Sequence, residues 1–179
     1  MKIYYVRHGQ TDWNFEQKMQ GGQTERNLNE TGIKQAENTK KQLENVKYDI
    51  VIRSPMNRAK QTAEIITEGK EVSIIIDERI RERNLGELEG APITEECEKN
   101  IWDYNLNMEL KGGESLKEFE KRILEFIEEI KEKYDYKTIL IVAHGGVAKV
   151  LKAYLYGKPE SNNLDDIKME NCEIIEAEL

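Results

Sequence analysis

The sequence predicts an α/β layered fold, and three observations lead to that prediction. Short apolar runs alternate along the chain with segments of helical periodicity, which is typical of strands separated by helices. The apolar runs lack the alternation of a half-exposed sheet, so we expect strands that are covered on both faces. The chain has 179 residues, of which 38% are hydrophobic, and such a length suits one domain with its own core. We therefore expect a single domain over residues 1–179.

Five strands are expected from the apolar runs. They cover Ile3–Val6, Asp49–Ile52, Val72–Ile76, Thr138–Ala143 and, as an edge strand, residues 172–178. The run Thr138–Ala143 is the clearest, because it holds several branched apolar residues in succession.

Four helices are expected from apolar residues that recur every three or four positions. They cover residues 31–45, 56–68, 115–134 and 147–156. Their apolar faces are Ile33, Ala36, Leu43 and Val46; Ala59, Thr62, Ala63 and Ile66; Leu116, Phe119, Ile123, Phe126, Ile127 and Ile130; and Val147, Val150, Leu151, Tyr154 and Leu155. Ser115 and Glu118 form a capping-box pair that marks the start of the longest helix. The least regular segment, residues 77–112, is expected to form a lid or wall beside the site, because long connections are often functional.

Composition narrows the function classes. The chain holds 27 Lys+Arg against 35 Asp+Glu, a net charge of −8, and a nucleic-acid partner would need a basic face. No apolar run approaches the roughly 20 residues of a membrane span, and the N-terminal run is too short for a signal peptide. Cys97 and Cys172 are expected to be free thiols, as in a reducing compartment. We expect a cytoplasmic protein with neither a nucleic-acid nor a membrane partner.

The two histidines of the chain occupy similar places. His8 follows the first predicted strand within Arg7-His8-Gly9, and His144 follows the clearest strand within Ala143-His144-Gly145. Ligands of open α/β sheets bind at the carboxyl ends of the strands. If the two strands are parallel neighbours, both histidines meet at that edge and form a candidate site. The alternative for either residue alone is a satisfied core or surface histidine.

Two arginines suggest that the ligand contains phosphate. Arg7 precedes His8, and Arg58 begins a predicted helix just after a strand. The planar guanidinium matches phosphate oxygens in two-point contacts, although ordinary surface ion pairs remain the alternative. The chain has no GxxxxGK[ST] or GxGxxG motif, and neither HExxH, CxxC nor an Asp-rich loop. We therefore expect neither a metal nor a cofactor.

Several blocks of the chain together resemble the histidine phosphatase superfamily, in its phosphoglycerate mutase-like branch. The blocks are Arg7–Asn14 (RHGQTDWN), Gln20–Gly32 (QGGQTERNLNETG), Ser54–Thr62 (SPMNRAKQT), Arg81–Gly90 (RERNLGELEG), Gly112–Ser115 (GGES) and Val142–Gly146 (VAHGG). They occur in the family's order over nearly the whole chain, although the second block is one residue longer and lacks the family's proline. The resemblance implies a three-layer α/β/α sandwich with a mostly parallel, doubly wound central sheet.

The resemblance also implies a role for each site residue. His8 would attack phosphorus and become a phosphohistidine, and Glu82 would protonate the leaving alcohol and then activate water. The transferring oxygens would be surrounded by Arg7, Arg58 and His144, the last as a cation. Further contacts to the substrate would come from Asn14, Gln20, Gly21 and Gly145. Spacing alone does not separate Glu82 from its acidic neighbours Glu78, Glu87 and Glu89.

Two features favour a phosphatase over a mutase within this family. The interval 91–111 is short and contains only Lys99 and Lys111 as cations, whereas the mutases carry a longer, basic insertion there. Gly146 stands where the mutases tend to carry Asn. The prediction is a metal-independent phosphomonoesterase of a small phosphorylated metabolite. The alternatives are a cofactor-dependent phosphoglycerate mutase, a protein phosphohistidine phosphatase and a non-catalytic phosphate-binding module.

The sequence says less about the part of the substrate to which the phosphate is attached. The acidic stretch 95–109 argues against a highly anionic substrate. Trp102 and Tyr104 are expected either to pack in the core or to form an apolar wall for the leaving group.

Overall fold

Five strands form one sheet in the computed structural model, which describes all 179 residues. They are β1 (Lys2–Arg7), β2 (Ile50–Arg53), β3 (Ser73–Ile76), β4 (Thr138–Ala143) and β5 (Ile174–Glu178). Their order is β3-β2-β4-β1-β5, in which β5 runs antiparallel to β1 and the other pairs are parallel. The five predicted strands are thus confirmed, including the edge position of the last.

Six α-helices surround the sheet. They are α1 (Asp12–Phe15), α2 (Glu30–Gln42), α3 (Asn57–Thr67), α4 (Glu95–Ile101), α5 (Leu116–Lys133) and α6 (Gly145–Tyr156). Short 3₁₀ turns cover Glu78–Ile80, Gly86–Leu88 and Leu164–Asp166. The apolar residues of α5 and α6 share one hydrophobic cluster, and those of α3 belong to another.

Successive side chains of the central strands enter these two clusters alternately, as the pleat of a strand requires. Ile3 and Tyr5 of β1 belong to the cluster with α5 and α6, whereas Tyr4 and Val6 belong to the cluster with α3. Because the middle of β1 is buried on both faces, its sequence shows no alternation between apolar and polar residues. The arrangement confirms the predicted three-layer sandwich.

Helix α5 forms as the sequence predicts. Ser115 accepts a hydrogen bond from the Glu118 backbone, and the Glu118 carboxylate accepts from the Ser115 backbone, so the capping box is complete. The six residues of its predicted apolar face are all buried. Burying side chains of this size contributes roughly 1.5–3 kcal/mol each before entropic costs. This helix is therefore a main component of the larger hydrophobic cluster.

The predicted apolar faces of two other helices are partly wrong. Ile33 of α2 is 40% exposed, and Val46 lies beyond the helix end. The buried positions of α2 are Gly32, Ala36 and Thr39, one residue out of phase with Ile33. Tyr154 of α6 is 36% exposed, because its hydroxyl reaches the polar ends of Lys131 and Glu128 on α5.

The periodicity of apolar residues did not predict two short helices, α1 and α4. In α4 only Ile101 is buried, so the helix has no apolar stripe to detect. It begins where the Thr94 hydroxyl accepts from the Cys97 backbone N–H. In α1, four residues long, no residue is buried. Local caps rather than core packing define both helices.

Three parallel strands end side by side. His8, Ser54 and His144 follow β1, β2 and β4 directly, and β4 lies between the other two strands. The ladder continues into this edge, because His8 N donates to Ala143 O at 2.9 Å and Ser54 N donates to Val142 O at 3.0 Å. The sheet therefore brings both histidines together, as expected from the sequence.

Two further features bear on the composition-based expectations. Cys97 and Cys172 are both free thiols. None of the helices has the length and apolar character needed to cross a membrane.

Candidate active site

A cavity of about 150 Å³ opens at the carboxyl edge of the sheet. Six of the predicted site residues line it, namely Arg7, His8, Asn14, Gln20, Glu82 and Gly145. Three others do not: Arg58 and His144 are fully buried, and Gly21 lies outside the lining. The cavity has room for a phosphate group and a small body, well below the volume of a drug-sized pocket.

The ring of His8 presents one free nitrogen. Its Nδ1 lies 2.7 Å from the Gly9 carbonyl oxygen, and a carbonyl only accepts, so Nδ1 carries the proton. The lone pair is therefore on Nε2. Burial, Arg58 and Arg7 together hold the pKa of His8 well below its ordinary value of 6.5. His8 is thus a neutral imidazole with an available nucleophilic nitrogen at pH 7.

His144 lies beside His8, with the two ring centroids 5.3 Å apart. Its Nε2 lies 2.7 Å from the Ser54 hydroxyl oxygen, which itself accepts from Met56 N. When the Ser54 hydroxyl donates to Nε2, the proton of the neutral imidazole resides on Nδ1, a buried atom without a partner.

In this structure the surroundings of His144 disfavour the expected cation. Burial lowers the pKa of His144 well below 6.5, and Arg58 lowers it further. The charged imidazolium is disfavoured because desolvation and a nearby guanidinium both penalise added positive charge. His144 still offers a hydrogen-bond donor through Nδ1–H.

Arg7 and Arg58 each keep a buried Nε–H donor without a partner. Arg7 Nη1 donates to the Met169 carbonyl. Arg58 is held by the carbonyl oxygens of Gly21 at 3.1 Å and Thr24 at 3.2 Å. Burial lowers the pKa of Arg58 to about 10, so it remains a cation at pH 7. Buried donors without partners are costly unless a ligand completes them.

Glu82 approaches the site from the other wall of the cavity. Its Oε2 accepts from Gly146 N at 3.0 Å, and its Oε1 accepts from Arg83 N at 2.8 Å. Gly146 is the second residue of α6, so the carboxylate faces the positive end of that helix. Glu82 is 8% exposed, and it lines the same cavity as His8.

Asn14 is oriented by its neighbours. Its Oδ1 accepts from Thr11 N at 3.1 Å and lies 3.4 Å from Asn171 Nδ2, which leaves its own NH₂ free on the cavity side. Gln20 Oε1 lies 2.8 Å from the Thr11 hydroxyl, so its NH₂ is likewise unused by the protein. Gly21 contributes differently, since its carbonyl holds Arg58.

The charges around the cavity differ from those expected. Of the acidic residues in the stretch 95–109, only Glu98 lines the cavity, so that stretch does not make the site acidic. Lys18, Lys149 and Lys168 also line it. Lys149 is bound by the carbonyl oxygens of Leu164 at 3.0 Å and Ile167 at 2.7 Å, and burial lowers its pKa to about 8.

Trp102 and Tyr104 have separate positions. Both are buried in the larger hydrophobic cluster, and Trp102 also lines the cavity. The hydroxyl of Tyr104 instead donates to Glu120 at 2.6 Å. Trp102 therefore satisfies both expectations, the core and the wall, whereas Tyr104 satisfies only the first.

Ser54 and Thr11 are contacts that the sequence analysis did not assign. Ser54 orients the ring of His144, and Thr11 orients Asn14 and Gln20. Both lie inside blocks that resemble the family, which is the signal that points to them. No group of three or more His, Cys, Asp or Glu side chains is placed to hold a metal ion.

Comparisons with known proteins point to one family. The family model described as histidine phosphatase superfamily (branch 1) matches residues 3–179. A Bacillus subtilis protein named as the uncharacterized phosphatase PhoE is 37% identical over 97% of this chain and 89% of its own length. An Erwinia tasmaniensis protein named "Probable phosphoglycerate mutase GpmB" is 31% identical, over 97% of this chain and 83% of its own.

Solved structures agree with the sequence relatives. Bacillus stearothermophilus YhfR has a TM-score of 0.88 at 31% identity, covering 99% of this chain and 91% of that one. A mycobacterial glucosyl-3-phosphoglycerate phosphatase in complex with VO₃ has a TM-score of 0.84 at 26% identity, covering 98% and 91%.

Proposed function

The chain belongs to branch 1 of the histidine phosphatase superfamily, and we propose that it is a phosphatase of small phosphorylated metabolites that works through a phosphohistidine on His8. The observation that supports this most is the pairing of His8 Nδ1 with the Gly9 carbonyl, which leaves the Nε2 lone pair free in the cavity. Unpaired nitrogens of Arg7, Arg58 and His144 accompany it. A phosphoryl group supplies the acceptors that these buried donors lack.

In the first step Nε2 of His8 attacks phosphorus, and the bond between phosphorus and the ester oxygen breaks. The leaving oxygen takes a proton from the carboxyl group of Glu82. Arg7, Arg58 and His144 Nδ1–H stabilise the charge on the equatorial oxygens during the transfer. The neutral state of His8 matters here, because only the unprotonated nitrogen is a nucleophile.

In the second step a water molecule attacks the phosphohistidine. The carboxylate of Glu82 now accepts a proton from that water, its oxygen bonds to phosphorus, and the bond to His8 Nε2 breaks. Inorganic phosphate leaves, and both side chains return to their starting protonation states. One carboxyl group acts first as acid and then as base, as the reversal of its protonation requires.

The lining of the cavity supports a phosphatase rather than a mutase. The interval 91–111 contributes Ile93, Glu98, Ile101 and Trp102 to the wall and contributes no cation. A mutase must hold a carboxylate-bearing intermediate until its second hydroxyl is phosphorylated, and this wall offers that carboxylate no positive partner. The lysines that line the cavity have partners in the protein. Lys149 is bound by carbonyl oxygens, Lys18 pairs with Glu16 and Lys168 pairs with Asp165.

The natural substrate is proposed to be a small phosphate monoester in the cytoplasm. A cavity of about 150 Å³ suits a small body. The two free thiols fit a reducing compartment.

A quenched-turnover experiment tests the proposal. The enzyme is mixed with a phosphomonoester labelled in its phosphate, stopped in mild alkali and digested. We expect acid-labile label on the peptide that contains His8, and neither label nor turnover in His8→Gln. Label on the peptide containing His144, or the absence of inorganic phosphate release from any ester of a broad panel, contradicts the proposal.

A further inference from the structure

The segment that carries Glu82 has little backbone structure of its own. After the 3₁₀ turn Glu78–Ile80, residues 81–85 belong to no helix or strand. A buried carbonyl group needs a hydrogen-bond donor, and without a ladder that donor must come from elsewhere. The position of the Glu82 carboxyl group therefore depends on contacts outside the segment.

A single guanidinium on α5 supplies the donors for the first two carbonyl oxygens of this segment, and Gly22 N donates to the third, Arg83 O, at 2.9 Å. Arg122 Nη1 donates to the carbonyl oxygens of Arg79 and, at 2.8 Å, Arg81, and Nη2 donates to that of Glu82 at 3.1 Å. Its remaining donors engage the Glu114 carboxylate, with Nε to Oε1 at 2.6 Å and Nη2 to Oε2 at 2.9 Å. Arginine has five N–H donors, so every donor of the Arg122 guanidinium is occupied.

Glu114 holds the other end of the same segment. Its Oε2 accepts from Asn84 N at 3.3 Å, its backbone N–H donates to Asn84 O at 2.9 Å, and its carbonyl accepts from Arg83 Nε at 3.0 Å. Glu114 belongs to the GGES block, which the proposed mechanism leaves without a role. Its side chain is only 18% exposed and that of Arg122 21%, so the pair is largely shielded from solvent.

We propose that Arg122 and Glu114 are positioning residues for the acid–base group. Arg122 holds the carbonyl oxygens of Arg81 and Glu82, and Glu114 holds the backbone of Asn84, so that the Glu82 carboxyl group meets the leaving oxygen. The inference rests on the proposed function, because it takes Glu82 as the proton donor. Neither residue lines the main cavity, so both act through Glu82 rather than on the substrate. A proton donor must lie within about 2.6–3.2 Å of its acceptor, and a displaced backbone loses that distance.

The consequence depends on the leaving group. An alkoxide is a poor leaving group without a proton, whereas p-nitrophenolate leaves readily without one. A variant that displaces Glu82 therefore slows the phosphorylation step, measured as kcat/KM, far more for alkyl esters than for aryl esters. Hydrolysis of the phosphohistidine is common to both esters and does not enter kcat/KM. A variant that merely weakens the fold lowers the amount of active enzyme and slows both substrates by the same factor.

The test compares glycerol phosphate with p-nitrophenyl phosphate in four variants, each checked by thermal unfolding. Removing the acid in Glu82→Gln is expected to slow the alkyl ester by roughly 10²–10⁴-fold, the range of general acid catalysis. We expect Arg122→Gln and Glu114→Gln to slow it by roughly 10–100-fold, and the aryl ester by less than about threefold, because the acid is displaced but present. Arg122→Lys is expected to recover only a part, since an ammonium has three donors and no planar fork.

Two controls complete the design. Arg79→Gln removes an arginine that also ties this segment to α5, through Glu129 at 2.6 Å, yet its side chain does not touch a carbonyl next to Glu82. It should slow both substrates equally or not at all. In the double variant Arg122→Gln/Glu82→Gln, the second change should add little, because both act on one proton transfer.

The outcomes separate the inference from the proposed function. Equal slowing of both substrates by Arg122→Gln and by Glu114→Gln, with leaving-group dependence kept in Glu82→Gln, overturns the positioning role alone. Equal slowing by Glu82→Gln itself overturns the acid assignment and the inference with it. If Arg122→Gln does not fold, Glu114→Gln and Arg122→Lys decide the question by the same ratio of rates.

Discussion

The space around Gly146 allows a sharp prediction. A Cβ added there would lie 2.3 Å from Glu82 Oε1 and 2.7 Å from the ring of Trp102. Trp102 is buried in the larger hydrophobic cluster and yields little, so the Glu82 carboxyl group has to move. To bring the first distance up to the 3.4 Å of ordinary contact, it must shift by roughly 1 Å, and a misplacement of that size costs about 10²-fold in rate.

We therefore expect Gly146→Ala to lower kcat/KM, which reports the phosphorylation step, by about 10²-fold for an alkyl phosphate. The loss for p-nitrophenyl phosphate should be much smaller, because that leaving group needs no proton. Stability should change less than activity. Overpacking costs about 1–3 kcal/mol, while replacing Gly by Ala within a helix returns about 1 kcal/mol. The net loss of about 0–2 kcal/mol lowers Tm by at most about 8 °C in a chain of this length.

The assay measures initial rates on both esters and Tm by calorimetry. Val150→Ala, a buried position in the same helix, is the control, because it lowers stability without approaching Glu82. Unchanged kcat/KM for the alkyl ester in Gly146→Ala would contradict this prediction, because proton donation would then not depend on the present position of the Glu82 carboxyl group. An equal loss on both esters would show damage to the phosphate site instead.

Three further predictions follow from the site. Hydrolysis should persist with excess EDTA, because Arg7, Arg58 and His8 supply the charge and the nucleophile; loss of turnover in EDTA that Mg²⁺ restores would contradict this. The free energy of unfolding should be fully retained above about pH 6.5 and should fall as the pH drops below that value. The reason is that the unfolded chain gains protons on His8 and His144, whose pKa values in the folded protein lie well below 6.5. A Tm that is flat between about pH 7 and pH 5 argues against buried neutral imidazoles. With bisphosphoglycerate present, release of inorganic phosphate should exceed interconversion of 2- and 3-phosphoglycerate, and the reverse ratio would favour a mutase.

Local patterns in the sequence determined the elements of the sheet and most of the helices. Strands such as Thr138–Ala143 and the six-residue apolar face of α5 depend on side-chain type and spacing, which are read directly from the chain. The elements that the sequence did not predict correctly are those with few large apolar side chains. Helix α4 buries one residue, and the face of α2 is formed by Gly32, Ala36 and Thr39, whose small side chains carry little hydrophobic signal.

The identity of the site residues was likewise available from the sequence, through motifs that follow strands and through family resemblance. Their protonation and contacts were not. That His144 is neutral depends on its burial and on Arg58, which lies 86 residues away in the chain yet close in space. The acidic stretch 95–109 looked unfavourable for an anion, but only one of its carboxylates faces the cavity. Desolvation and the distance between charges set electrostatic energies. Both depend on how the chain packs, so the spacing of residues along the sequence does not reveal which side chains are buried or which way they point. The contacts of Arg122 with the carbonyl oxygens on both sides of Glu82 belong to the same class, because they join residues 41 and 40 positions apart that meet only when the chain is packed.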